Sequence, residues 1–135
     1  MTTIGKNYKS GRTFDEVLAL VKRDLRDALP KGVKISVRKE GCTYTNKIDV
    51  RVMSAPEEVL DWQKCTQYER EERYAHFIWP RNLTAFGEKV FGVIQRVILS
   101  YRYDDSDIMT DYFDTNFYYE MGAGRFQKPF KVVSK

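Results

Sequence analysis

Phe14, Val17, Leu18, Val21, Leu25 and Leu29 recur at helical spacing and form one continuous stripe. Thr13-Phe-Asp-Glu16 ahead of them is a capping box, in which the Thr hydroxyl and the Glu carboxylate satisfy amides that the first turn leaves orphaned. The pattern predicts a helix over 13–29, stopped by Pro30 and Gly32. Val33, Ile35 and Val37 then alternate with Lys34, Ser36 and Arg38. After a turn region from Glu40-Gly41 to about Asn46, Ile48, Val50 and Val52 alternate with Asp49 and Arg51. Two such strands around a short loop read as an antiparallel hairpin with basic outward faces. Ser54-Ala-Pro-Glu57 repeats the capping-box signature and predicts a second helix through Val59, Leu60 and Trp62, continuing into the mixed-charge run 69–73. Residues 83–95 stay open: Leu83, Phe86, Val90 and Ile94 fit a helical stripe, while Gly87 and Gly92 weaken a helix.

The densest pattern spans Arg96 to Met121. Val97, Leu99, Tyr101 and Tyr103 alternate over the first part, and Phe113, Thr115, Phe117, Tyr119 and Met121 over the last. Period-two alternation with β-branched enrichment predicts two strands, 96–103 and 112–121. Antiparallel pairing with residue numbers summing to 216 sets Leu99 against Phe117 and brings Arg102 to Asp114 and Arg96 to Glu120. The expected fold is α+β: an antiparallel sheet of about four strands packed against two or three helices. Residues 1–12 read as a flexible basic arm and 13–135 as a single globular domain.

Charge changes this picture in one respect. The net +4 is uneven: residues 1–51 carry a net +6, whereas residues 103–120 carry six acidic groups and no basic one. Uneven charge argues against one continuous basic surface. No apolar run is long enough to span a bilayer, and the polar first twelve residues contain no signal-peptide core. Cys42 and Cys65 have neither CxxC nor Cys/His spacing, so zinc and redox motifs lack support. His76 is the only histidine and reads as structural, with no partner identifiable from sequence.

The string Asp104-Asp-Ser-Asp-Ile-Met-Thr-Asp-Tyr-Phe-Asp-Thr-Asn-Phe-Tyr118 resembles the large polyvalent-protein-associated domain family, number twenty-nine of its series, of phages and mobile elements. Leu18 to Leu29, Gly32 to Arg38, Asp49-Val50, Ala55-Pro56 and Lys128-Pro129-Phe130 extend the likeness to both ends. The middle, from about Gln63 to Leu83, departs from the family pattern. The resemblance implies an α+β fold and a setting, a mobile element acting in a bacterial cytoplasm, but no reaction.

Asp104, Asp105, Asp107 and Asp111 form an acidic loop beside Tyr112 and Tyr118. Carboxylates can hold a divalent cation, yet the calcium-loop pattern needs a central Gly and a terminal Glu that are missing here, so no metal and no cofactor is expected. The loop suits a protein contact instead: carboxylates steer towards a basic partner and Tyr supplies contact area at low entropic cost. No nucleophile–base motif, P-loop or HExxH occurs, so an enzyme is not expected, and a metal-dependent phosphoesterase is a minor third class. The expected function is a non-enzymatic host-protein binder, most concretely a counter-defence inhibitor of the anti-CRISPR kind, whose target is a nucleic-acid-handling defence complex. The alternative is a nucleic-acid-binding accessory domain using Arg38, Lys39, Tyr44, Lys47 and Arg51 on the basic hairpin.

Overall fold

The computed structural model describes residues 3–40, 46–104 and 115–133. Along these the chain runs β1 (Thr3–Ile4), α1 (Phe14–Ala28), β2 (Lys34–Glu40), β3 (Lys47–Ala55), a 3-10 turn (Trp62–Lys64), α2 (Gln67–Glu72), β4 (Ala75–Phe77), α3 (Ala85–Ser100), β5 (Tyr103–Asp104), β6 (Tyr118–Ala123) and β7 (Lys131–Val132). The architecture is α+β, built on a mixed five-stranded sheet in the order β2-β3-β6-β4, with β7 beside the end of β3.

The first helix and the hairpin after it follow their sequence pattern. Both arms of the Thr13 capping box are made, and α1 buries Val17, Leu18, Val21 and Leu25 on one face. β2 and β3 form the expected antiparallel hairpin, pairing from Lys34↔Ser54 to Glu40↔Lys47. Ile48, Val50 and Val52 of β3 are fully buried, and together with Tyr119, Met121 and Ala123 of β6 they join the core residues of α1 and α3 in one cluster. The helices therefore cover one face of the sheet.

Elsewhere the structure corrects the expected pattern. Residues 96–100 belong to α3, and the hairpin summing to 216 does not form. Helical spacing continues from Val90 through Ile94, Val97, Ile98 and Tyr101, all buried, whereas Leu99, apolar in the strand pattern, is exposed. A stripe covering the whole of 85–100 outweighs a short alternation and local β-propensity. Gly87 is compatible with this helix because the Val59 backbone packs against it: a Cβ there would lie 1.9 Å from the Val59 carbonyl oxygen.

β6 does not pair with a neighbouring hairpin strand. It runs parallel to β3, from Lys47↔Tyr118 to Val52↔Ala123, and antiparallel to β4. Parallel neighbours need a long crossover, and the chain between β3 and β6, α3 included, supplies it. The sheet is consequently mixed rather than antiparallel throughout. Among the described residues the two segments meet in a different register, at an isolated antiparallel bridge Asp104↔Thr115 and an Asn116 N–H to Tyr103 carbonyl bond.

The helix expected after Ser54 is absent. Ser54 and Ala55 are the last residues of β3, paired with Lys131 and Val132. Val59, Leu60 and Trp62 would need apolar partners a turn later, where the chain has Gln63 and Thr66. The capping box that operates lies further on, at Thr66 and Glu69, opening the short α2. Residues 3–8, within the expected arm, lie along the body: β1 pairs with β5, and Gly5 and Asn7 donate to the carbonyls of Arg102 and Ser100. Cys65 is a buried free thiol.

Candidate interaction face

Strand alternation that sends Ile48, Val50 and Val52 into the core sends Lys47, Asp49 and Arg51 to the opposite face of the sheet. The register sets Glu40, Arg38 and Ser36 of β2 on one side of this row and Tyr118, Glu120 and Gly122 of β6 on the other, with His76 of β4 opposite Gly122. The result is a polar ladder across four strands.

Asp49 sits at its centre with no solvent exposure. Arg51 Nε donates to Asp49 Oδ1 at 2.8 Å and Arg125 Nη1 to Oδ2 at 2.5 Å. Arg125, from the turn after β6, also donates to Ser36 Oγ at 3.0 Å and to the Ser36 carbonyl at 3.3 Å, tying that turn to the edge strand. Arg51 donates to the Gly124 carbonyl and lies 5.3 Å from the Tyr74 ring centre. Burial works against the Arg51 charge, but the hydrogen bond and charge of Asp49 outweigh it and raise its pKa further.

Glu120 is the second anchor. Lys47 Nζ donates to it at 2.8 Å, and His76 Nδ1 contacts the same carboxylate. Desolvation pushes the Glu120 pKa up, yet the Lys47 hydrogen bond and charge, with a smaller share from His76, hold it below the usual carboxylate range. Glu40, Asp49 and Glu120 each bring an oxygen within 4.8 Å of the others, a spacing a cation could bridge. Lys47, Arg51 and Arg125 already balance that charge from within the chain. His76, lacking an identifiable partner in sequence, thus finds one in Glu120.

Next to the ladder lies a trough of about 670 Å³, lined by Glu40, Lys47, Ile78, Arg102, Tyr118 and Glu120. Ile78 and Tyr118 are exposed, and Trp79, the residue after Ile78, is 72% exposed. The acidic segment is rooted at this trough. Its two ends meet at the Asp104↔Thr115 bridge, where the Asn116 side chain accepts from the Tyr103 N–H at 2.8 Å and donates to the Tyr101 carbonyl at 2.9 Å. Arg102 joins root and trough, bonding the Phe117 carbonyl and Asp104.

Of the residues expected to bind protein, Asp104 is therefore half-buried at the root and Tyr118 lines the trough. Asp105, Asp107, Asp111 and Tyr112 lie outside the described residues, as do Asp114 and its expected pairing with Arg102. Arg96 is exposed on α3 and does not pair with Glu120, whose carboxylate is held by Lys47.

The expected basic patch does not assemble as one surface. Arg51 is buried on Asp49, not outward and free, because β3 is central and covered by Arg125 and Tyr74. Lys47 is committed to Glu120. Lys39 faces the helical side, 3.0 Å from Asp15 and over the Phe14 ring. Arg38 is exposed on the polar face, and Tyr44 lies outside the described residues. Sequence reasoning placed Ser36 and Asp49 on strands without a functional role and did not single out Arg125. The available signal was charge at every second position of a strand, Lys47-x-Asp49-x-Arg51, which asks for partners on both flanking strands.

No protein-family model matches the chain, and no curated protein and no solved structure is detectably similar to it.

Proposed function

We propose that this protein is a non-enzymatic binder of a host protein, in the setting of a phage or mobile element, and most concretely a counter-defence inhibitor. The observation that carries the reading is the rooting of the acidic segment: Asp104 and Thr115 bring its ends together beside a trough walled by Ile78, Arg102 and Tyr118, with Trp79 exposed next to Ile78. Trp, Tyr and Arg dominate the residues whose loss costs most at protein interfaces. Carboxylates beside them speed encounter with a basic partner and fix orientation. The setting rests on the sequence resemblance alone.

Capture from a bacterial host lysate by the immobilised chain tests this. A specific host protein should be retained by the native chain. It should be lost both when Asp104, Asp105, Asp107 and Asp111 are changed together to Lys and when Trp79→Ala is combined with Tyr118→Ala. Retention unchanged in both variants sinks the proposal.

A second reading, nucleic-acid binding, draws on a groove of about 320 Å³ where the exposed cations Arg38 and Lys128 share the lining with Tyr74, Phe126 and one carboxylate, Glu40. Cations beside aromatic rings suit single strands, whose bases stack while phosphates are neutralised. A low-salt mobility shift abolished by Arg38→Glu with Lys128→Glu would favour it, and no shift would remove it.

A further inference from the structure

β2 is the outer strand of the sheet, and among the described residues no strand lies on its far side. Its core-facing side chains are incompletely covered. Val33, just before it, and Ile35 and Val37 within it stay half-exposed, whereas Ile48, Val50 and Val52 beside them on β3 are fully buried. The C-terminal half of α1 runs along this edge and leaves a groove of about 620 Å³ between helix and strand. Leu25 and Leu29 contribute to its apolar floor, and Lys22, Arg26, Lys31 and Lys34 stand around it without any carboxylate in the lining. All four cations are exposed, and none makes an ion pair among the described residues. Helix-dipole complementarity accounts for Arg26 in the last turn of α1, but not for Lys34 on the strand or for the open apolar row.

We propose that this groove is a second docking site, for an acidic, extended peptide segment of a partner protein that adds a strand to the outer edge of β2. Three features select this occupant. The open edge offers backbone donors and acceptors in the spacing only another extended chain matches. Alternate side chains of an added strand would point at the half-covered Val33, Ile35 and Val37, so apolar residues every second position fit the floor. The remaining positions would fall on the polar face beside the exposed Lys34 and Arg38, while Lys22, Arg26 and Lys31 rim the helical side of the groove, so acidic residues fit there. A nucleic-acid strand could use the cations but neither the edge nor the apolar row. The site is separate from the trough at Tyr118, so its success or failure does not depend on the function proposed above.

The test uses the full chain and a fluorescein-labelled peptide of alternating Glu and Val, nine residues long, with an alternating Lys and Val peptide and a twenty-nucleotide oligothymidine as comparators. The acidic peptide should bind at least tenfold more tightly than the basic one. Its binding should slow amide exchange along 34–40, and Lys22→Glu combined with Arg26→Glu and Lys34→Glu should weaken it at least tenfold. These positions are exposed, and an unchanged circular dichroism melt would confirm that the variant folds. No binding of the acidic peptide, or equal binding of the two peptides, overturns the proposal. Binding of oligothymidine with the peptide excluded overturns it in favour of a phosphate site. Self-association of the native chain in sedimentation, abolished by the same triple substitution, overturns it in favour of a second copy of this chain.

Discussion

Asp49 and Arg125, 76 residues apart in the chain, meet in a 2.5 Å charge-assisted hydrogen bond beneath the polar face of the sheet. Asp49 is fully enclosed and also accepts from Arg51, so one carboxylate bridges two guanidinium groups that are themselves nearly buried, with Glu120 4.0 Å from Arg51. Removing it leaves Arg125 without its carboxylate and Arg51 with only the more distant Glu120. Asp49→Ala should destabilise the fold by about 3–5 kcal/mol, the usual cost of leaving a buried charge uncompensated. Arg125→Ala should cost less, because Arg51 still satisfies Asp49. Urea denaturation of the two single variants and the double variant reads both the costs and their coupling.

Glu120 gives a pH dependence with a definite sign. Its folded-state pKa is depressed, first against desolvation and then by Lys47 and His76, so its contribution is present above the ordinary carboxylate range and is lost as pH falls through the folded value. Glu120→Gln should cost about 1.5 kcal/mol near neutrality, the lower end for a charged hydrogen bond because Lys47 is partly solvated. The gap between the melting curves of variant and native chain should close at acid pH. A gap that persists unchanged below the carboxylate range would contradict this assignment.

Two helical glycines should respond oppositely to the same change. At Gly87 a Cβ would collide with the Val59 backbone, so Gly87→Ala should lower the melting temperature by forcing α3 away from that segment. At Gly92 nothing lies within 4 Å of the added Cβ, so Gly92→Ala should stabilise by about 0.5–1 kcal/mol through helix propensity. Thermal melts of the two variants distinguish a packing glycine from an incidental one.

Tyr101, at the end of α3, donates its hydroxyl to Asp24 of α1 and so ties the two helices together. Burial, and then the Asp24 hydrogen bond and charge, raise the Tyr101 pKa, while the same hydrogen bond lowers that of Asp24. The raised group stabilises the fold below the ordinary tyrosine value, and this is lost as pH climbs through the folded value. In an ultraviolet titration of the phenolates, Tyr101→Phe should remove a component that ionises above the ordinary tyrosine range.

Where local pattern and tertiary pairing coincide, the fold was legible: the capped stripe of α1 and the alternating β2–β3 hairpin need only near neighbours. Residues 96–103 satisfied two periods at once, since Val97 and Tyr101 are four apart and also an even number apart. Only burial separates the readings, and the exposure of Leu99 against the enclosure of Ser100 decides for helix. The parallel β3–β6 pairing leaves no local signature, because its partners are joined through a crossover rather than a turn. The same distance hid the site. Asp49 finds Arg125 and Glu120 finds Lys47 only once β6 lies beside β3, so a strand-by-strand reading took Arg51 for a surface cation.

β6 lies between β3 and β4 although it follows both in the chain. A ribosome that has emitted everything up to residue 117 has made β4 but not the strand β4 pairs with, and the inner edge of β3 stands open along 47–52. The sheet closes from its middle, late, and across a long loop whose closure entropy must be met before any of its contacts form. Until then the nascent chain carries an apolar central strand with a bare edge, the kind of surface that recruits holding chaperones or other unfinished chains.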